Sequence, residues 1–103
     1  MRRTLKDRIA EARNPYTPLA RVRELARDSV WAVRRLIALR DDLPSERAWV
    51  LAADSEEDVR CAIAERADLP AELARVLADD PVKAVRDTIA RRHPTASAPG
   101  ESR

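Results

Sequence analysis

The stretch Leu25-Ala26-Arg27-Asp28-Ser29-Val30-Trp31-Ala32-Val33-Arg34-Arg35-Leu36-Ile37-Ala38 returns as Leu51-Ala52-Ala53-Asp54-Ser55-Glu56-Glu57-Asp58-Val59-Arg60-Cys61-Ala62-Ile63-Ala64. It returns again as Leu77-Ala78-Asp79-Asp80-Pro81-Val82-Lys83-Ala84-Val85-Arg86-Asp87-Thr88-Ile89-Ala90. Aligned at a step of 26 residues, the copies keep Leu, Ala, Asp, Val, Arg, Ile and Ala in register, and Pro18, Pro44 and Pro70 stand the same step apart. Eight ungapped invariant columns mark an internal repeat, and a repeat of this length is one supersecondary unit that buries its apolar face only against its neighbours.

Each unit reads as two helices. Proline is tolerated in the first turn, where its missing N–H would have had no partner, so Pro18, Pro44 and Pro70 open the first helix. That helix is predicted over 20–27, 45–53 and 71–79. The Asp28, Asp54 and Asp80 column then caps the second helix by accepting a free backbone N–H. Glu57, three residues after Asp54, suggests a variant capping box. The second helix is predicted over 30–39, 56–66 and 82–92. Val33 and Ile37 lie one turn apart on its buried face, as do Val59 with Ile63 and Val85 with Ile89.

Working outward, residues 4–13 read as the second helix of a partial unit. Arg8 and Ala12 fall on the Arg and Ala columns, while Asp7 and Glu11 replace the Val and Ile, a polar cap on the stack. Beyond the last copy, Pro94-Thr95-Ala96-Ser97-Ala98-Pro99-Gly100 and the residues after it are small, polar and proline-bearing, the composition of a disordered tail. The expectation is an all-α solenoid of three 26-residue two-helix repeats (13–38, 39–64 and 65–90) with a partial N-terminal repeat (1–12). Together they form one domain over 1–93, followed by a tail over 94–103.

Composition agrees. Among 103 residues there are two Trp, one Tyr, no Phe and one Gly, so the core is built from Ala, Leu, Val and Ile, which let helices approach closely. The longest apolar run, Ala48 to Ala53, is too short to cross a bilayer. The charged N-terminus lacks the apolar stretch of a secretory signal, and a single cysteine makes no disulfide framework. These features predict a cytoplasmic protein, and the preference for Arg over Lys suits a GC-rich bacterial genome. Charge is uneven: residues 1–40 carry eleven Lys/Arg against four Asp/Glu, whereas 41–103 carry nine against fourteen.

The Asp column with Val-Arg following resembles HEAT-like repeats. The short period and the string Asn14-Pro15-Tyr16-Thr17-Pro18 are similar to the leucine-rich repeat variant (LRV) family. The resemblance covers residues 12 to about 96 and implies a right-handed superhelix of short helices, the first of each pair 3₁₀ in some members and the second on the concave side. Asp42-Leu43-Pro44 and Asp68-Leu69-Pro70 depart from the family string. The iron–sulfur cluster of some members needs clustered cysteines, and with Cys61 alone it does not transfer. No residue of the HEAT-like DNA glycosylases carries over.

Chemistry is sparse. With Gly100 the only glycine there is no glycine-rich phosphate loop. One His and one Cys do not assemble a metal site of that type, and no cofactor is expected. Glu56, Glu57 and Asp58 cluster in a helix's first turn, where negative charge is stabilising in itself. Cys61 shares a column with Arg35 and Asp87, which suggests an exposed, inert thiol. His93 ends a helix as a last-turn cap. The chain therefore reads as a non-enzyme.

What remains is surface. Asp28, Asp54 and Asp80 with Arg34, Arg60 and Arg86 read as a structural ladder holding neighbouring units in register, with a binding ladder as the rival. Trp31 stands where sister units place Glu57 and Lys83, Trp49 where they place Arg23 and Arg75, and Tyr16 where they place Asp42 and Asp68. Aromatics in charged columns face solvent, and such residues are frequent binding hot spots. Tyr16, Arg23, Arg27, Trp31, Arg34, Arg35 and Trp49 are thus the candidate partner-binding residues of an adaptor or scaffold that engages another protein, preferably an acidic one. The alternatives are a nucleic-acid binder using phosphate contacts from the basic half, a structural subunit of a larger assembly, and head-to-tail self-association of the basic and acidic halves.

Overall fold

The structure, a computed structural model, describes residues 3–97. The described residues form α1 (Leu5–Arg13), α2 (Leu19–Leu25), α3 (Trp31–Ala38), α4 (Ser45–Ala52), α5 (Glu57–Ala64), α6 (Ala71–Ala78), α7 (Lys83–Arg92) and α8 (Pro94–Ser97), and no strand. The chain is all-α. α2, α4 and α6 begin at 19, 45 and 71, and α1, α3, α5 and α7 at 5, 31, 57 and 83, so helix starts follow the 26-residue step.

Pro18, Pro44 and Pro70 are the N-caps of α2, α4 and α6, one position earlier than the first helical turn predicted for them. Their carbonyls take the first helical N–H bonds, from Arg21, Arg47 and Ala74, each at 2.9 Å. These first helices are α-helical, so the 3₁₀ form that the family resemblance implies for some members is not adopted. Each then closes with a tight i→i+3 bond, Asp28 N–H to Leu25 O, Asp54 to Leu51 and Asp80 to Leu77, all at 3.1 Å. That closure ends them before the residues the sequence pattern allotted. No described residue has positive φ, so these corners need no glycine.

The Asp column acts differently from the expected helix cap. The N-caps of α3, α5 and α7 are Val30, Glu56 and Val82, without side-chain bonds. Asp28, Asp54 and Asp80 lie two residues earlier, and each Oδ1 accepts the backbone N–H of Val30, Glu56 or Val82 at 2.9 Å, an Asx turn that aims the chain into the helix. Glu57 is the first residue of α5 and makes no capping box. The capping box is at α1, between Thr4 and Asp7.

α1, α3, α5 and α7 lie side by side in one layer, and α2, α4 and α6 pack behind them, over extents of 57 × 22 × 17 Å. Val33, Ile37, Val59, Ile63, Val85 and Ile89 are wholly buried between the layers, with Leu25, Leu51 and Leu77 at their backs. Ala12, Ala38 and Ala64 are equally buried, and their small side chains permit close helix approach. Glu11, on the Ile column, instead pairs with Arg3 at 2.7 Å and Arg21 at 2.9 Å. The segment predicted as disordered from residue 94 begins with a helical turn, α8, which packs on α6 and α7 with Ala96 against the core. Residues 98–103 of that tail lie outside the described residues.

Candidate interaction surface

The invariant Asp and Arg columns meet across successive helices. Arg34 Nε and Nη2 grip Asp54 at 2.7 and 3.0 Å, while Arg34 Nη1 donates to Asp28 O at 2.7 Å. Arg60 repeats the arrangement with Asp80 at 2.8 and 3.1 Å and Asp54 O at 2.8 Å. Arg8 grips Asp28 at 2.7 and 3.4 Å. A guanidinium fork matches a carboxylate in this way, and only Arg supplies it. Each aspartate thus receives the fork from the preceding helix of the α1–α3–α5–α7 series, holds its own Asx turn, and offers its carbonyl to the arginine six residues on. Burial alone would raise the Asp54 carboxyl, but the Arg34 bonds, the Glu56 N–H and the charges of Arg34 and Arg60 outweigh it and hold the group below its ordinary 3.8. Arg86 donates Nη1 to Asp80 O at 2.7 Å and, among the described residues, holds no carboxylate.

A second set of clasps runs along the opposite ends of the same helices. Arg40 Nη1 donates to Ala12 O and Asn14 O, both at 2.8 Å, and Arg66 Nη1 to Ala38 O and Arg40 O at 2.7 and 2.8 Å. Arg92 reaches Glu65 O at 3.1 and 2.9 Å. These guanidinium groups cap carbonyls at and just beyond a helix C-terminus, where positive charge is favoured, although Asn14 O and Arg40 O also accept the N–H of Thr17 and Leu43. The remaining edges of Arg40 and Arg66 pair with Asp42 and Asp68, whose carboxyls those bonds hold below their ordinary range. The Arg40, Arg66 and Arg92 column sits at the 26-residue step, and comparing the units position by position reveals it.

These pairings consume most of the basic half. Arg3, Arg8, Arg21, Arg23, Arg34 and Arg40 are all in ion pairs. Two of the candidate partner-binding residues are therefore engaged: Arg34 with Asp54, and Arg23 with Glu46 at 3.2 Å. Lys6, Arg13, Arg27 and Arg35 are the cations of α1–α3 for which the described residues show no ion pair.

Two of those, Arg13 and Arg35, line one open groove of about 530 Å³ together with Trp31. α1 supplies Ile9 and Arg13, α3 supplies Trp31, Ala32, Arg35 and Leu36, and α5 contributes the Asp58 carboxylate at the edge. A neighbouring groove of similar volume shares Arg13 and Leu36 and extends to Leu39 and Pro15. Trp31 is 40 % and Leu39 45 % exposed, with Leu36 partly covered. The two grooves thus join apolar side chains to the two guanidinium groups that hold no ion pair among the described residues, and the carboxylates of Asp58, Asp41 and Asp42 line them as well.

The other candidates are elsewhere. Trp49, 44 % exposed, belongs to α4 in the other layer, where Val50 and Val76 are also exposed. Tyr16 is 90 % exposed in the link from α1 to α2, and Arg27 is exposed in the link from α2 to α3. The structure thus brings Trp31 and Arg35 together and leaves Tyr16, Arg27 and Trp49 outside their groove. The residues the sequence reading passed over are Ile9, Leu36 and Leu39, and Arg13 entered it only as one cation of the basic half. Leu39 had a signal, since it occupies the column of Arg13, Glu65 and Arg91.

Cys61 is packed against the core rather than exposed, and burial first, then Asp58 and Glu57, push its thiol above its ordinary 9.0. His93 follows α7, its N–H bonded to Ile89 O at 2.7 Å. Among the described residues no group of three His, Cys, Asp or Glu is placed to hold a metal ion, and no helix is long and apolar enough to cross a membrane. Compared with protein-family models, curated proteins and solved structures, the chain finds no match.

Proposed function

We propose that the chain is a cytoplasmic, non-catalytic protein-interaction module: a three-repeat LRV/HEAT-like solenoid that takes an acidic, apolar-anchored segment of a partner protein along α1, α3 and α5. The observation that carries this reading is the groove in which Trp31 lies beside Arg13 and Arg35, both without an ion pair among the described residues. A half-exposed tryptophan supplies a rigid apolar anchor, and free guanidinium groups at its edge select carboxylates. The rival nucleic-acid reading is weakened by the same pairing pattern. Phosphate binding draws on unneutralised cations, and most arginines of the basic half already hold carboxylates.

The test is selection of peptides from a randomised displayed library against the full chain. Acid-rich sequences with one large apolar anchor are expected, and their binding should fall when Trp31→Ala or the Arg13→Gln/Arg35→Gln pair is introduced. Basic winners, or acidic winners indifferent to those substitutions, would dismiss the groove. Affinity for duplex or single-stranded DNA that drops steeply with salt and ignores Trp31→Ala would move the assignment to nucleic acid.

A further inference from the structure

The helices α1, α3 and α5 each present the same face to the next helix in their layer: an arginine fork for an aspartate, a buried alanine, and C-terminal carbonyls for an arginine. α7 carries that face too, and among the described residues no further helix of the layer meets it at Arg86 or Ala90. Arg86 is positioned by its Nη1 bond to Asp80 O, as Arg34 and Arg60 are by Asp28 O and Asp54 O. Among the described residues its other edge meets no carboxylate, and no arginine bonds the Ala90 carbonyl. Ala90 is exposed, whereas Ala12, Ala38 and Ala64 are at most 1 % exposed.

We propose that this α7 face is a second docking site, independent of the Trp31 groove, and that it takes a helical hairpin of a partner protein bearing an aspartate and, twelve residues on, an arginine. The chemistry of the occupant is given by the molecule itself. Asp54 and Arg66 of one hairpin clasp Arg34 and the Ala38 carbonyl, and Asp28 and Arg40 of another clasp Arg8 and the Ala12 carbonyl. A second copy of this chain in the same register is disfavoured, because the position one step before Asp28 is Arg2, which would set like charges together. Two α7 faces meeting would likewise oppose Arg86 to Arg86.

The probe is a synthetic peptide of residues 43–66, which carries both Asp54 and Arg66, titrated into the isotopically labelled full chain while the Arg86 Nε–H resonance is followed. A saturable shift at Arg86 is expected, weakened roughly tenfold or more by an Asp54→Asn peptide and by Arg86→Gln in the chain, the scale of a charge-assisted pair. Arg86→Lys should also weaken it, because the fork is lost while the charge stays. Trp31→Ala should leave it unchanged, which separates this site from the groove. Arg86→Gln removes one side-chain bond to Asp80 O, so its melting curve reports whether the fold is intact. No shift at millimolar peptide, or equal shifts from the unsubstituted and Asp54→Asn peptides, overturns the proposal. An Arg86 resonance that moves with protein concentration alone puts a second copy there, and one that moves on Glu101→Gln puts the chain's own tail there; either overturns it as well.

Discussion

Removing Arg60 should be among the most damaging single changes to a charged side chain in this protein. Arg60 is 12 % and Asp80 5 % exposed, and the guanidinium makes three bonds, two to Asp80 and one to Asp54 O. Arg60→Ala strands the Asp80 carboxylate with only the Val82 N–H, and breaking a buried pair in this way costs about 3–5 kcal/mol. Because both groups keep some contact with solvent, a loss of about 3 kcal/mol is expected, which for a domain of this size lowers Tm by roughly 12–20 °C. Calorimetric or circular-dichroism melting measures it. Arg23→Ala is the control: its pair with Glu46 is open to solvent, 44 % and 57 % exposed, and should be worth no more than about 0.5 kcal/mol. Adding Asp80→Asn to Arg60→Ala should recover part of the loss, because a neutral amide is cheaper to bury than a lone carboxylate. An Arg60→Ala protein that melts with Arg23→Ala would refute the claim that the ladder holds the helices in register.

The remaining expectations are more local. Arg66→Ala, which frees Ala38 O and Arg40 O, should cost about 2 kcal/mol, measured by urea unfolding, and an m-value unchanged from the parent would show that the native compactness survives. Asp42, Asp54, Asp68 and Glu11 have folded-state pKa values below their unfolded ones, so their contribution is fully present above the unfolded carboxylate range and is lost as pH falls through the folded values. Tm should accordingly be level near neutrality and decline below about pH 4; a decline beginning near pH 6 would contradict this. Cys61, with its thiol pushed up by burial and neighbouring carboxylates, should alkylate several-fold more slowly at pH 8 than a cysteine in an unfolded peptide, as mass spectrometry would follow.

The architecture was legible because its information is repeated. Val59 alone is weak, but Val33, Val59 and Val85 at one step specify a face, and all three are wholly buried. Helix starts followed from Pro and Asp to within one residue, and those of α4 and α6 fell where expected, although the proline stands one position and the aspartate two positions before the place in the helix cap assigned to it. A proline reads the same at the N-cap as in the first turn, and an aspartate in an Asx turn reads like one in a cap, because both accept a nearby N–H. The candidate surface was less legible. Trp31 and Trp49 carry the same signal, an aromatic in a charged column, yet one lies on α3 and the other on α4, in different layers. Nor does sequence tell a free arginine from a bound one: Arg34 and Arg35 are adjacent, and only the first meets a carboxylate, 20 residues on.

The buried alanines carry a further consequence. Ala12, Ala38 and Ala64 sit beside the carbonyls that the next arginine grips, so a single methyl spaces each helix of the α1–α3–α5–α7 layer from the next. A larger residue there would have to swing neighbouring helices apart on one side only, while α2, α4 and α6 keep their spacing. One side chain per unit thereby acts as a shim that sets the helix spacing on that side of the molecule.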